Sequence, residues 1–390
     1  MTLRRVVRAV RPLEWVTLGF IVVVTVLVGP RVALEGASRL FASRSREAFL
    51  ALLVVLSLQQ MLLATRGKWA DASNPLRLKL LVLLPVAMLP LLIGLGTDVF
   101  DRQVWDRVYE GADAFVVIAV LLVVLRIVGF GAPTLLVWLG LWRYAREHGR
   151  IDAGPFAKLA VRGVVTQVRD WLPFLLLISG YAWVGNMMEL RATYTVDAAL
   201  RALDTRLFGV DPMDALEKII SRPLSVWLAT AYTLYAVLYS VCPSVVWLTK
   251  GPPAFRELAF AAGLTMALGW FGYLIFPAKG PVLTRTFSVP LDLYYIEPIK
   301  IALMDTARAT YDCFPSMHTA VTMVFWAQAW RHARPLFWVM APIAVSMPLA
   351  CVYLRYHYVV DVLAGLALAA AVTALSNALS RRERVSRSDG

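Results

Sequence analysis

Charged side chains are scarce in this chain. Asp, Glu, Lys and Arg make up 17% of it, against roughly 25% in soluble domains, which excludes an ordinary soluble globular protein. Cysteine is nearly absent. Cys242, Cys313 and Cys351 have neither metal-ligand spacing nor the even number of a disulfide framework. Two of them lie in or at the edge of apolar runs, where a small buried hydrophobe is the expected role; at Cys313 a catalytic thiol is weighed and set aside. No basic face is interleaved with exposed aromatics, so the formal net charge of +13 does not read as a nucleic-acid surface. It reads as loop arginines and contact with anionic lipid. No small-residue cleavage site follows the first apolar run, so an uncleaved first span is expected.

What the chain has instead is hydrophobic length. Apolar residues fill 59% of it, and mean hydropathy is +0.66. Runs near the length that crosses about 30 Å of hydrocarbon fall at 13–34, 48–65, 80–97, 114–142, 171–188, 224–248, 258–276, 316–330, 336–354 and 357–379. The fold class expected is all-α: a polytopic helical membrane protein of ten spans. Run 114–142 is overlong and holds Gly129-Phe130-Gly131-Ala132-Pro133, where a kink or break is expected. The N-terminus and linkers 66–79, 143–169, 250–256, 331–334 and 381–387 are basic, while 98–113 and 189–222 are acidic or balanced. Positive-inside counting then puts both termini in the cytoplasm, with one linker, carrying Arg39, Arg44 and Arg46, against the majority.

Histidine is also rare, with four in the chain. His148 and His332 lie in Arg-rich linkers, where solvated side chains are expected. His318 and His357 each open a long apolar run. His357 and Asp361 are four apart, so on a helix they share a face with Cβ atoms roughly 5–6 Å apart. A carboxylate there can accept from one ring nitrogen, fix the tautomer and leave the other free to attack. Pro315 suits the first turn of a helix, which would place Ser316 and His318 at an N-terminus that favours an anion such as phosphate.

Phe314-Pro315-Ser316-Met317-His318, followed by His357-Tyr358-Val359-Val360-Asp361, resembles the phosphatidic acid phosphatase type 2 / vanadium haloperoxidase superfamily. Within it, the chain resembles the inositol phosphorylceramide synthase and sphingomyelin synthase group. The resemblance covers about the last 220 residues and implies a six-helix catalytic bundle. It makes His357 the nucleophile that takes the phosphoryl group, Asp361 its orienting partner, His318 the acid for the leaving oxygen, and Ser316 a phosphate contact. Lys279 and Arg285 stand where the superfamily has a basic motif, but six apart instead of seven and followed by Thr286 instead of Pro. The superfamily's phosphate-binding Arg six residues before the nucleophile falls on Cys351, with Arg355 a substitute near in sequence. These departures weaken a plain phosphatase reading and fit the synthase branch.

The resulting domain plan has a four-span region 1–143 of unassigned role, a scaffold or dimer surface by default. A cytoplasmic basic linker 144–170, a catalytic membrane domain 171–380 and a cytoplasmic tail 381–390 follow. Gln59-Gln60 is read as interhelical hydrogen bonding. In 189–222, Val196, Ala199, Leu200, Leu203 and Leu207 recur at helical spacing against Asp197, Arg201, Asp204 and Arg206. An amphipathic helix on the outer interface, stopped by Gly209, is expected; it is either a lateral cover or a gate for lipid. Tyr232, Tyr235 and Tyr239 form a stripe, read as packing or an interfacial belt. Asn186, Glu189, Asp292, Asp305 and Asp312 are read as solvation or capping.

Three functions are weighed. A lipid phosphotransferase would move a phospho-head group from a phospholipid donor to a lipid alcohol acceptor at the extracytoplasmic face of a plasma or inner membrane. A phosphatase would use the same residues on phosphatidic acid or a polyprenyl phosphate. A lipid-binding or transport protein would keep the fold without catalysis, but would be free to lose His318, His357 and Asp361. No cofactor and no metal is expected, because no His/Asp/Glu cluster has ligand spacing. A homodimer stays open.

Overall fold

The computed structural model describes residues 11–42, 153–293, 296–300 and 308–388. Runs 48–65, 80–97 and 114–142, Gln59-Gln60, His148, Asp305 and the 143/144 boundary lie outside them. Among the described residues every element is a helix. They are α1 (Pro12–Val28), α2 (Pro30–Ala42), α3 (Ala153–Arg191), α4 (Asp197–Phe208), α5 (Pro212–Glu217), α6 (Arg222–Thr233), α7 (Tyr235–Lys250) and α8 (Pro252–Ile275). After these come α9 (Pro281–Thr284), α10 (Ile296–Lys300), α11 (Met317–His332), α12 (Arg334–Tyr353) and α13 (Val359–Ser388). Proline opens α1, α5, α8 and α9 in the first turn, where its missing N–H is not needed. Gly209 ends α4 in the left-handed conformation.

Among the described residues, four helices are long and apolar enough to cross a membrane: Arg169–Arg191, Pro252–Ile275, Arg334–Tyr353 and Val359–Arg382. The protein is membrane-embedded. The first expected span, 13–34, is not one straight helix. Gly29 at φ +87° and Pro30 break it, and the two pieces bend by 115°. Run 224–248 is interrupted at Leu234, between α6 and α7. Run 316–330 becomes α11, whose 16 residues span about 24 Å at 1.5 Å per residue. That is short of the hydrocarbon thickness. Ala320, Val321, Thr322, Val324, Phe325, Gln328 and Ala329 are all fully buried, so α11 lies inside the helix packing, against α7, α8, α12 and α13. The segment 144–170, expected as a linker, is helical from Ala153 onward.

The N-terminal helices belong to this packing. Leu13, Phe20 and Val24 of α1 are buried, and Phe20 meets Trp183 of α3 and Phe271 of α8 edge-on at 6.0 and 5.6 Å. Two ends of the helices differ in chemistry. At one end Arg11 and Arg256 pair with Asp170, Arg169 with Glu14 and Arg331 with Glu257. His332, expected in solvent, is half-buried there, 3.4 Å from Glu257. At the other end the close of α8 and of α12 meets the start of α11 and of α13. Gly272 and Gly365 let segment 314–316 press in: a Cβ on Gly272 would overlap the Pro315 ring, and one on Gly365 would sit 2.5 Å from the Ser316 carbonyl.

Candidate active site

His357 is not on the helix, as its spacing from Asp361 suggested. α13 starts at Val359, and His357 lies in the turn before it. Arg355 enters the left-handed region at φ 70°. This lets the N–H groups of Tyr356 and His357 both donate to the Cys351 carbonyl, at 3.2 and 3.1 Å. The His357 Nδ1 is 2.8 Å from the Cys313 carbonyl oxygen. A carbonyl can only accept, so Nδ1 carries the proton and Nε2 keeps its lone pair. Asp361 Oδ2 stands 3.6 Å from the same Nδ1. It also accepts from the Tyr358 N–H and the Cys313 thiol, both at 2.8 Å. Burial, followed by the Asp361 carboxylate, pushes the Cys313 thiol well above its ordinary range, so it stays a protonated donor. Three ligand-type atoms, from Cys313, His357 and Asp361, thus lie within 4.8 Å of one another, a grouping that sequence spacing did not reveal. Here they bond to one another.

His318 sits in the first turn of α11, half-buried between two tyrosines. Tyr232 stacks on its ring at 4.3 Å, with its hydroxyl 3.4 Å from Nδ1, and Tyr235 lies tilted at 4.3 Å. Tyr356 stacks on the far side of Tyr232 at 4.8 Å. The stripe read as packing therefore walls His318. The two histidine rings are 5.7 Å apart between centroids, at 61°. Ser316 caps α11: its hydroxyl accepts from the Thr319 N–H at 3.4 Å and donates to the Thr319 hydroxyl at 3.1 Å. Pro315 precedes this cap and is not in the helix's first turn. Cys351, where the superfamily's Arg would stand, is buried against Ser316 and Thr319 at 3.5 and 3.6 Å.

The expected cations separate into two groups. Arg285 binds Asp211 at 2.9 Å and also pairs with Asp214. Arg355 reaches Glu217 at 3.5 Å and the Val289 carbonyl, and lies 4.0 Å over the Phe287 ring. Burial lowers its pKa from the usual arginine range. Both are therefore held by α5 and the loop after α9. Lys279 lies on a loop that runs beside Cys313 and Tyr356 and is fixed by Asp197, which accepts from the N–H groups of Lys279 and Gly280 at 3.0 and 2.9 Å. Gly280 has φ +84°, and a Cβ there would collide with the Tyr356 carbonyl, so glycine alone fits. The Lys279 ammonium lies 5.4 Å from the Tyr311 ring, and among the described residues it makes no ion pair. A cation the sequence did not flag, Arg308, donates to the Lys279 carbonyl at 2.6 Å, faces Asp312 at 3.5 Å and lies 5.0 Å over Tyr356. Asp312 also accepts from Tyr181 at 2.6 Å, and Asp292 pairs with Arg222 at 2.5 Å.

α4 is turned the other way from a simple cover. Its buried residues are Asp197, Leu200 and Asp204, with both aspartates pointing into the protein. Asp204 accepts from the N–H groups of Val359 and Val360 at 2.8 and 2.9 Å. It thereby caps α13 two residues after His357. The seven-residue spacing of Asp197 and Asp204, two helical turns on one face, was the signal available for this.

The described residues thus form a membrane-embedded, all-helical fold with a histidine pair and a buried aspartate at one end of its helices. Residues 198–375, a little under half of the chain, match the family model described as PAP2 superfamily. All the site residues named above from Lys279 onward fall within that segment. The match supports an enzyme acting on membrane lipids, of the phosphatase or phosphotransferase kind. No curated protein matches the chain, and no solved structure does.

Proposed function

We propose that this protein is a lipid phosphotransferase that moves a phospho-head group from a membrane phospholipid to a lipid alcohol through a phosphohistidine at His357. The observation that carries the reading is the locked imidazole. Nδ1–H is engaged by the Cys313 carbonyl at 2.8 Å, which leaves Nε2 as a lone-pair nitrogen. Nε2 attacks phosphorus and forms the P–N bond, and the P–O bond to the lipid breaks. His318, which must carry a proton for this step, gives it to the departing oxygen. In the second half the acceptor hydroxyl attacks the same phosphorus, its proton returns to His318, and the P–N bond breaks. Asp361 stabilises the imidazolium character that His357 gains in both halves.

Transfer is favoured over hydrolysis by the number of cations near His357. A phosphomonoester brings two negative charges, a phosphodiester one. Arg285 and Arg355 are already offset by Asp211, Asp214 and Glu217, and Cys351 is neutral. Lys279 remains without an ion pair among the described residues, Arg308 shares its charge with Asp312 at 3.5 Å, and with the first turn of α11 these suffice for one charge. Both lipids would reach the site from the bilayer, on the side where α8 and α12 end, which is the extracytoplasmic side if the Arg-rich end is cytoplasmic.

The test is to incubate protein in lipid nanodiscs with labelled phospholipids, with and without a ceramide or other lipid alcohol, and to identify products by mass spectrometry. The expected product retains the head group and requires the alcohol. Release of inorganic phosphate from phosphatidic acid or a polyprenyl phosphate, at a rate indifferent to alcohol, would give the phosphatase reading instead.

A further inference from the structure

α4 places its polar residues and its apolar residues in unusual positions. Asp197, Leu200 and Asp204 form the edge that meets the protein. At 3.6 residues per turn, Leu203 and Leu207 lie on one flank of that edge, and Arg201 and Thr205 on the other. The apolar flank is not covered by protein: Leu203 is 45% and Leu207 57% exposed, and Phe208 and Val210 beyond it are 49% and 58% exposed. Arg201 on the opposite flank holds Asp211 at 2.7 Å. α4 therefore has three sides: carboxylates to the catalytic end, leucines to an uncovered surface on one flank, and the Arg201–Asp211 ion pair on the other.

The carboxylates hold two different parts of the site. Asp204 takes the first two N–H groups of α13, two residues after His357, and Asp197 takes the N–H groups of Lys279 and Gly280 and the Tyr358 hydroxyl at 3.2 Å. The nucleophile turn and the basic segment also touch directly, through the Val282 N–H on the Arg355 carbonyl at 2.8 Å and the Thr284 and Tyr358 hydroxyls at 3.1 Å, and the two carboxylates of α4 tie both to a third element. α4 also packs on the start of α13, a helix long and apolar enough to cross the membrane, so it lies at the level where that helix enters lipid.

We propose that α4 is an interfacial strap: Leu203 and Leu207 seat in the boundary between head groups and acyl chains, and Asp204 and Asp197 thereby hold His357 and Lys279 at their working separation. Asp204 and Asp197 are positioning residues, acting through His357 and Lys279 and not on substrate. The partner is the lipid surface itself, chosen because α4 packs on the start of a spanning helix and carries the exposed Arg206 next to Leu203 for phosphate head groups. The proposal rests on His357 as the reacting residue but not on which acceptor is used.

A double-mutant cycle in nanodiscs of phosphatidylcholine tests it, with activity read as loss of labelled donor whatever the product. Asp204→Asn turns one of the two acceptor oxygens into a donor and should lower kcat on the order of 10- to 100-fold with KM nearly unchanged, alongside a modest fall in melting temperature. Leu203→Gln with Leu207→Gln should lower kcat comparably, and adding Asp204→Asn should cost little more. Full additivity, or a rise in KM alone, would overturn the coupling. Independently, a nitroxide on Leu207→Cys, the native cysteines being buried, should collide readily with oxygen and poorly with an aqueous nickel chelate. Ready access to nickel would place the face in water, and low access to both would mean a protein partner; either overturns the lipid assignment. This depth measurement stands even if the wild type consumes no donor, the result that would instead remove the proposed reaction.

Discussion

His357 Nδ1 has one proton to give and two acceptors in reach, the Cys313 carbonyl at 2.8 Å and Asp361 Oδ2 at 3.6 Å. The closer one is neutral and fixes the ring; the carboxylate is near enough to favour the cation that forms when Nε2 bonds phosphorus. His357→Ala should abolish turnover while the protein stays folded and inserted, and near-normal activity in that variant would remove the mechanism. Asp361→Asn should lower kcat by about 10²–10⁴-fold. The Cys313 thiol supplies one of the hydrogen bonds to Asp361. Cys313→Ser keeps a donor there and should stay within about tenfold of wild type. Cys313→Val leaves the buried oxygen short of a partner and should cost about 1–3 kcal/mol, or roughly 5- to 150-fold, read in kcat. His318, His357 and Asp361 were legible because their identities and spacing carry the chemistry. The Cys313 carbonyl was not, since a main-chain acceptor has no residue identity. Arg308 was hidden because its role comes from a loop brought back over Gly280, which no local spacing records.

At the scale of elements, α5 and the segment after α9 form an acidic clamp around Arg285. Burial alone would raise the Asp211 carboxyl, but bonds from Arg201 and the Met213 N–H, with the charge of Arg285, outweigh it and hold it below the ordinary range. Folding thus favours the ionised form. Its contribution is whole above the unfolded value of about 3.9 and is lost as pH falls through the depressed folded value. In detergent, melting temperature should therefore show no loss from this group between about pH 7 and pH 5, with its loss confined to below about pH 4. Arg285→Ala should lower stability by about 1–2 kcal/mol at neutral pH, and a variant as stable as wild type would remove the clamp. Helix existence was legible from apolar length in each described run, yet three runs differ in form. Gly29-Pro30 could be read as a break but was absorbed into a long apolar stretch. Leu234 carries no breaker at all. α11 reads as a span because buried helices and lipid-facing helices share the same composition. For α4 the pattern was legible but its direction was not: aspartates beside leucines read as a watery face, whereas folding spends them on main-chain N–H groups.

For the whole molecule, the decisive feature is the separation of the two ends. Arg11, Arg169, Arg256 and Arg331, with Glu14, Asp170 and Glu257, gather at one end, and His318, His357 and Lys279 at the other. The charge count that oriented the sequence relied partly on linkers outside the described residues; the geometry adds that the basic linkers 250–256 and 331–334 share one end in space. Arginine near helix ends favours the cytoplasmic side, so the histidines should face out. Single cysteines at Val282 and Ser288, on the loop after Lys279, should react with an impermeant maleimide added to intact cells. One at Arg334 should react only after permeabilisation. The three native cysteines are buried and should contribute little background. Donor and acceptor would then meet in the outer leaflet, and a head group transferred there could not be drawn from cytoplasmic phosphate esters. Labelling in the opposite pattern would put His357 in the cytoplasm, reverse the leaflet, and place the leucine flank of α4 on the anionic inner surface, where Arg206 would bind more tightly.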